Sequence, residues 1–369
     1  MKCYEIMAAY FSEKAYAEGS GEIYYTCPFC GKKKRKFSVK SPQKIARTGK
    51  DGFKCWSCGA QGGSKDLLNH FGVETQEQFD TKIKEYQVEE VTKQSNEYIS
   101  KVYVAFLNML PLYKKHKENL IQRGLTPEQI KSFKFKSAPD NYIAKLNICR
   151  ELSTRFELKG VPGFYKTQKG KWNFLGQDGY YCPVWDSRNN LIIGMQIRLD
   201  KPLDDNKYLW FSTPEKTDGC GSGSIATHLK GNPENNSVIV TEGILKATIT
   251  YLLLNKEITV IGLGGITQLK AINPYLAELK DKYIIEAYDM ERCLECKSEK
   301  DNRKKQEILK WETALLSGFQ KNNIPCCPIY WDKKGENWQG KYKGIDDYLA
   351  SLSEDKRKGV IEYIKEKGQ

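Results

Sequence analysis

The sequence contains no long hydrophobic run. One of its longer apolar stretches, residues 249–254, is far shorter than the roughly 20 residues that span a bilayer, so we expect no transmembrane helix and no membrane partner. The N-terminus begins Met-Lys-Cys-Tyr and lacks the apolar core of about 7 to 15 residues that a secretory signal needs. We therefore expect a cytoplasmic protein.

Histidine is scarce, and cysteine is not. The three histidines, His70, His116 and His228, form no ligand or catalytic pattern. The twelve cysteines lie in a chain without a secretory signal, which favours free thiols or metal ligands over a disulfide framework.

The charge of the chain is positive and concentrated in one segment. A chain of 369 residues with 40% hydrophobic residues is expected to fold into two or three domains. Its net charge of +13 favours an anionic partner such as nucleic acid. Between Cys30 and Cys55 lie ten basic residues and one acidic residue, so this segment alone carries +9. A solvated charged loop and a nuclear import signal are the alternative explanations.

Two C-x-x-C pairs flank this segment. Cys27 and Cys30 form the first pair and Cys55 and Cys58 the second, and a glycine follows each pair. Such glycines can adopt a positive φ and let the backbone turn around a metal ion. Four thiolates complete a tetrahedral shell, which predicts a structural zinc site. Unrelated core cysteines are the alternative.

The residues around the cysteines resemble a known domain. Segments 24–30, 36–39 and 53–63 resemble the zinc-binding domain of bacterial and phage DNA primases. Cys30 stands where the bacterial form usually has histidine, as in the phage primase-helicases. In that family the ribbon contacts single-stranded template, which implies that Lys36, Lys54 and Trp56 bind DNA. For Trp56, packing against the zinc knuckle is the alternative.

The middle of the chain has a helix start and a hairpin signal. Thr126 precedes Pro127 as an N-cap. Strand-like runs at 180–185 and 191–198 flank five turn residues, and a further run starts at Lys207. Segments 123–133, 180–198 and 207–215 resemble the basic subdomain of the DnaG-type primase core. In that family, the residues matching Arg198 and Lys207 line the nucleotide and template groove. Solvated strand ends are the alternative.

Strand and helix signals alternate after residue 236. Apolar strand runs at 237–241, 258–263, 283–288 and 324–330 are separated by helical patterns, which predicts a parallel sheet with helices on both faces. Acidic residues follow three of these strands, where ligands of such sheets bind. They are Glu242, Asp289, Glu291 and Asp346. Clustered carboxylates favour a divalent cation, Mg²⁺ or Mn²⁺; solvated loop acids are the alternative.

The same acidic residues resemble the Toprim domain of DnaG-type primases, topoisomerases and some nucleases. The matching segments are 241–243, 289–291 and 343–349. Two residues depart from the pattern: Glu291 replaces the second aspartate of D-x-D, and Lys246 replaces a carboxylate four residues after Glu242. The resemblance therefore implies that one metal ligand is missing and that Lys246 is a candidate phosphate ligand.

Together these features predict a multidomain α/β protein: a small four-cysteine zinc ribbon, a mixed α+β basic subdomain and an α/β Toprim domain with a mainly parallel sheet. The predicted boundaries are a zinc-binding ribbon at 1–72, a charged linker at 73–98, a basic part of the core at 99–236, a Toprim domain at 237–350 and a helical tail at 351–369.

The resemblance implies a DNA primase, a nucleotidyltransferase that makes RNA primers from NTPs on single-stranded DNA. Structural Zn²⁺ and catalytic Mg²⁺ or Mn²⁺ are its expected cofactors. The chain has no P-loop motif, so a partner helicase would be a separate protein. A Toprim nuclease and a non-catalytic single-stranded DNA-binding protein remain open alternatives.

Overall fold

The computed structural model describes residues 1–11, 15–16, 21–32, 35–73, 78, 91–139, 141–167, 169–203, 206–214 and 216–369. The chain forms two compact units, Met1–Glu90 and Val91–Gln369. Lys33 and Lys34 of the basic segment, together with residues 74–77 and 79–90 of the predicted linker, lie outside the described residues.

The first unit is built on a five-stranded antiparallel sheet whose strands follow one another in chain order. Its apolar core includes Ile6, Phe37 and Leu67. Its elements are α1 (Cys3–Tyr10), β1 (Ala15–Tyr16), β2 (Glu22–Tyr25), β3 (Phe37–Lys40), α2 (Pro42–Thr48), β4 (Phe53–Cys55), β5 (Gln61–Gly62) and α3 (Ser64–His70).

The second unit begins with helices and antiparallel strands. As predicted, the side chain of Thr126 caps a helix by accepting a hydrogen bond from the backbone N–H of Gln129, and the two predicted strands form a hairpin. The elements are α4 (Asn96–Asn108), α5 (Lys114–Gln122), α6 (Pro127–Ser132), β6 (Lys136–Ser137), α7 (Tyr142–Ser153), β7 (Phe164–Lys166), β8 (Trp172–Phe174), β9 (Gly179–Asp186), β10 (Leu191–Leu203) and β11 (Asn206–Trp210).

The rest of this unit alternates strands with helices, which confirms the expectation from the sequence. The elements are β12 (Ala226–Leu229), β13 (Ser237–Glu242), α8 (Ile244–Leu253), β14 (Thr259–Leu263), a 3₁₀ helix (Leu269–Tyr275), β15 (Tyr283–Glu286), a second 3₁₀ helix (Met290–Cys293), α9 (Glu299–Lys321), β16 (Cys326–Pro328), β17 (Lys333–Lys334), β18 (Asn337–Trp338), α10 (Ile345–Ser351) and α11 (Glu354–Lys367).

One sheet of nine strands crosses the second unit. Its order is β11-β10-β9-β12-β14-β13-β15-β16, and β6 pairs with β9. The strands β14-β13-β15-β16 are parallel. Because the chain leaves β13 toward β14 on one side and returns as β15 on the other, the carboxyl ends of β13 and β15 flank a topological switch point, where ligands of such sheets bind.

Helices cover both faces of the parallel strands, as predicted. Ile239 and Ile285 on one face share a core with α8, α10 and α11. Val240 and Ile284 on the other face share a core with α9. This follows from the alternation of side chains along each strand, which sends neighbouring residues to opposite faces.

The sheet is continuous across residue 236, the predicted end of the basic region. Strand β12 pairs antiparallel with β14 over four residues and meets β9 at His228 and Asp186. The antiparallel and parallel regions therefore share one backbone hydrogen-bond network.

No helix in the described part of the chain combines the length and the apolar character needed to cross a membrane.

Gly243 makes the turn from β13 into α8 with φ 86° and ψ 127°. An added Cβ meets nothing closer than the Cβ of Lys246 at 3.7 Å, so Gly243→Ala would strain the backbone rather than crowd a neighbour. We expect this variant to lower the free energy of unfolding by about 1 to 3 kcal/mol, measured by urea denaturation. Gly265→Ala is the matched control, since its Cβ would meet nothing within 4 Å. Equal midpoints for both variants would contradict the prediction.

Candidate active site and metal centre

The four cysteines of the first unit come together at one point. The Sγ atoms of Cys27 and Cys58 are 3.9 Å apart, as are those of Cys30 and Cys55, and all four lie within 4.8 Å of one another. A tetrahedral ZnS₄ centre with Zn–S bonds of about 2.3 Å requires sulfur atoms about 3.8 Å apart. The arrangement therefore suits a four-thiolate zinc site.

The two cysteine turns have the same backbone hydrogen bonds. Gly31 N–H donates to the carbonyl of Cys27, and Gly59 N–H donates to that of Cys55. Both glycines have positive φ, 68° and 79°, as the sequence predicted. Burial raises the pKa of the Cys27 thiol to about 12, so a bound cation must displace a proton there.

Lys36, Lys54 and Trp56 share one exposed face of the first unit. The register of β3 and β4 explains this, because Trp56 N–H donates to the carbonyl of Lys36 at 2.7 Å. Trp56 is 65% exposed, which excludes the alternative that it packs into the knuckle. The ammonium of Lys54 lies 4.2 Å from the centre of its ring. The surface combines positive charge with an open aromatic ring.

Most of the described basic residues between the cysteine pairs are also exposed. Lys40 and Lys44 are the exceptions: both are half-buried, and Lys44 pairs with Glu22 at 2.6 Å. The exposed ones are Lys32, Arg35, Lys36, Arg47, Lys50 and Lys54.

In the second unit, Glu242 ends β13 and Asp289 follows β15, so both flank the switch point. Lys246, in the first turn of α8, lies between them. Its ammonium donates to Glu242 Oε1 at 3.2 Å and to Asp289 Oδ1. The turn at Gly243 makes this contact possible, because Glu242 ends the strand and Lys246 stands in the first turn of the helix that follows.

Glu291 binds two lysines on the outer side of the same site. Its Oε1 accepts from Lys304 at 2.6 Å and its Oε2 lies 2.7 Å from Lys343. Lys343 also lies 3.3 Å from Asp289 Oδ2. Sequence analysis assigned neither lysine a role, although Lys343 stands in the matched segment and could have been noticed.

Asp346 stands in the first turn of α10 and pairs with Arg123, whose Nη1 lies 3.1 Å from Asp346 Oδ2. Arg123 lies at the end of α5, 223 residues away in the chain. The sequence analysis gave Arg123 no role, although its position in the segment that resembles the primase core could have indicated one. Gly344 allows the close packing here: an added Cβ would collide with Asp346 and stand 3.5 Å from Lys246 Nζ.

Burial and the lysines set the acid strengths of these carboxyl groups. Burial raises the pKa of Glu242 to about 7, against the lowering effect of Lys246. Burial also opposes ionisation of Asp289, but the attraction of Lys246 and the other lowering contacts outweigh it and bring the pKa to about 2. Burial raises the pKa of Asp346. Burial lowers the pKa of the Lys246 ammonium, but the attraction of Glu242 and Asp289 outweighs it, so the pKa is raised and the ammonium stays charged.

The oxygen atoms of these carboxylates are hard ligands of the kind that Mg²⁺ or Mn²⁺ prefers. Lysines form ion pairs with Glu242, Asp289 and Glu291. Within the described ranges, the cysteines form a group of three or more metal-ligand atoms within 4.8 Å of one another, and the four acidic residues do not. Lys246 forms ion pairs with both Glu242 and Asp289. On the other side, Lys343 and Lys304 are 46% and 51% exposed and can move away. The residues therefore fit a divalent ion beside Asp289 and Glu291.

Arg198 projects from β10 toward this site. Its backbone pairs with that of Tyr208 in the neighbouring strand β11. Burial raises the pKa of Tyr208, and Arg123, Arg198 and Asp346 are all close enough to affect that pKa. Arg198 Nε is buried without a hydrogen-bond partner, and no carboxylate of the described residues forms an ion pair with Arg198. This arginine can accept an anion.

Lys207 lies on the opposite face of the strand from Arg198. Since side chains alternate along a strand, Lys207 points with Leu209 away from Tyr208. Leu209 packs against a different core from Tyr208, which agrees with this assignment. Lys207 is exposed on the edge strand, so the two basic residues do not share one surface.

A buried ion-pair network supports the turn that carries Asp289 and Glu291. Arg292 in this turn is fully buried and pairs with Glu286 of β15 and with Glu312 of α9. Its Nη2 also donates to the carbonyl of Ile329. A buried guanidinium must keep these partners, so it fixes the turn against the sheet. No sequence motif indicated this role.

Comparison with known proteins gives matches among solved structures alone. No protein family model and no curated protein matches the chain. The zinc-binding and RNA polymerase domains of the Aquifex aeolicus primase match 98% of this chain and 83% of their own, at 16% identity and a TM-score of 0.49. The RNA polymerase domain of Mycobacterium tuberculosis primase DnaG matches 73% of this chain and 84% of its own, at 12% identity and a TM-score of 0.48.

The primase fragment of the bacteriophage T7 primase-helicase protein matches 57% of this chain and 84% of its own, at 16% identity and a TM-score of 0.31. All three structures are named as primases or parts of primases.

Proposed function

We propose that the protein is a DNA primase that makes short RNA primers on single-stranded DNA from NTPs. The ion pair between Arg123 and Asp346 is the main support. Arg123 belongs to the region whose sequence resembles the primase core, and Asp346 to the Toprim-like region that nucleases also have. One site is thus built from both regions, and assignment as a nuclease leaves the first region unexplained.

In the proposed reaction, the 3′-hydroxyl oxygen of the primer bonds to the α-phosphorus of the incoming nucleotide. The bond from that phosphorus to the bridging oxygen breaks, pyrophosphate leaves and the hydroxyl proton passes to solvent. A Mg²⁺ or Mn²⁺ ion at Asp289 and Glu291, near Glu242 and Asp346, would stabilise the phosphate charge and increase the acidity of the hydroxyl.

Arg198 is the proposed phosphate ligand. Tyr208 lies near both its guanidinium and Asp346 of the carboxylate site. The Nε of Arg198 is buried and has no hydrogen-bond partner. A triphosphate oxygen would satisfy this donor and offset its desolvation. Lys207 is exposed on the edge strand and would contact the nucleic-acid backbone rather than the same phosphate.

The first unit is proposed to hold one structural Zn²⁺ through its four cysteines and to bind template through Lys36, Lys54 and Trp56. Lysines would neutralise phosphates, and the open indole would stack on a base. The proposed domain limits are those of the sequence, with the basic and Toprim-like regions joined by their common sheet.

A single-stranded DNA-binding protein without catalysis is the second candidate. The ion pairs of Lys246 with Glu242 and Asp289 favour it, because this ammonium neutralises two carboxylates that would otherwise be free to bind a metal ion.

Asp289→Asn should abolish primer synthesis, because it removes a charge that the proposed ion needs. The assay supplies labelled NTPs, Mg²⁺ or Mn²⁺ and single-stranded DNA, and short RNA products are measured by gel. Glu295→Gln is the matched control, since Glu295 is 64% exposed and pairs only with Lys297 among the described residues. Template cleavage by the wild type would indicate a nuclease. Tight binding without either product would support the second candidate.

Removal of zinc should unfold the first unit. A module this small depends on its metal for stability. We expect one Zn²⁺ per chain, lost in Cys30→Ser and retained in Cys296→Ser, since Cys296 is an exposed free thiol. Metal analysis and limited trypsin digestion of the full chain measure this. Rapid cleavage within residues 1–73 should follow chelation, and unchanged protection would contradict the assignment.

Trp56→Ala should weaken single-stranded DNA binding by about 1 to 3 kcal/mol, the usual contribution of one stacked base. The double change Lys36→Gln and Lys54→Gln should reduce the slope of log affinity against log salt by about 1.4, for two lost phosphate contacts. Fluorescence anisotropy of the full chain with labelled oligonucleotide measures both. Tyr142→Ala is the control, because Tyr142 is 57% exposed on α7. An effect as large in the control would place the DNA contact elsewhere.

A further inference from the structure

The Toprim-like site has a positive charge built into its centre. Lys246 has 15% of its side chain exposed, whereas Lys343 and Lys304 are 46% and 51% exposed. The two outer lysines can leave their carboxylates for solvent at small cost. Lys246 cannot, because its departure would leave Glu242 buried without a counter-charge and would leave Asp289 with Lys343 as its remaining basic partner among the described residues.

The packing around Lys246 also holds it in place. The absence of a side chain at Gly344 leaves room for it, with Nζ 3.5 Å from the position that a Cβ would take. Asp346 is near enough for its carboxylate to stabilise the positive charge of Lys246. A carboxylate at position 246 would instead add a negative charge to a group of acids, which a second divalent ion would have to balance.

We infer that the Lys246 ammonium is a permanent cation of this site, held between Glu242 and Asp289, so that the chain binds one divalent ion beside Asp289 and Glu291 rather than two. The inference deepens the proposed function and rests on it for the presence of a divalent ion. Lys246 would then act as a fixed charge for the anionic substrate, while the single ion exchanges with solvent.

The test counts Mn²⁺ ions bound to the zinc-loaded full chain without DNA or nucleotides, through the electron paramagnetic resonance signal of unbound Mn²⁺. The wild type should bind one ion. Lys246→Asp should bind two. Lys246→Gln should bind its ion at least about tenfold more tightly, because a nearby positive charge is lost. Lys358→Gln removes the same charge from an exposed site on α11 and should match the wild type.

A wild-type chain that binds two ions or none would overturn the inference, and so would Lys246 variants with unchanged number and affinity. If the variants fail to fold, as judged by circular dichroism, the wild-type count still decides. Failure of the proposed function is seen separately: a chain that binds one Mn²⁺ but makes no primers would contradict the primase assignment and leave the role of Lys246 intact. Primer synthesis by a chain that binds two Mn²⁺ ions would support the primase assignment and contradict the inference about Lys246.

Discussion

Buried carboxylates need a positive charge nearby, and this requirement organises the second unit. Glu242 and Asp289 stand at the ends of adjacent parallel strands, where the backbone brings them together regardless of their charge. Four basic residues from separate segments neutralise the acidic site: Lys246 from α8, Lys304 from α9, Lys343 before α10 and Arg123 just after α5. The helices near the beginning of this unit are therefore bound electrostatically to its end.

The two units meet the same electrostatic requirement in different ways. The thiols of the first unit must lose protons to bind a cation, so their cluster is complete only with a metal ion from solution. The carboxylates of the second unit already have ammonium and guanidinium partners from the chain itself. The first site is expected to hold its ion permanently, and the second to exchange it.

Local patterns in the sequence predicted the parts that depend on local physics. Apolar runs and their spacing indicated the parallel sheet. The location of Glu242 and Asp289 after strand runs predicted that both lie at the carboxyl ends of its strands. The C-x-x-C spacing with its following glycines predicted the cysteine cluster. The positive φ of Gly31 and Gly59 confirmed that these glycines let the backbone turn at each cysteine pair.

Contacts between distant segments could not be predicted in this way. The partnership of Arg123 with Asp346 spans most of the second unit, and nothing near either residue specifies the other. The separation of Lys207 from Arg198 depends on strand register, since a shift of one residue exchanges the two faces of a strand. The buried Arg292 had no motif, because its function is to hold a turn in place.

The short strand β12 has a consequence for the mechanics of the protein. It is bonded to the antiparallel strands on one side and to the parallel strands on the other, so bending between these regions would break backbone hydrogen bonds. The antiparallel and parallel regions of the second unit should therefore move together as one rigid body. A fragment cut at residue 236 would expose an unpaired strand edge, the kind of surface through which chains aggregate.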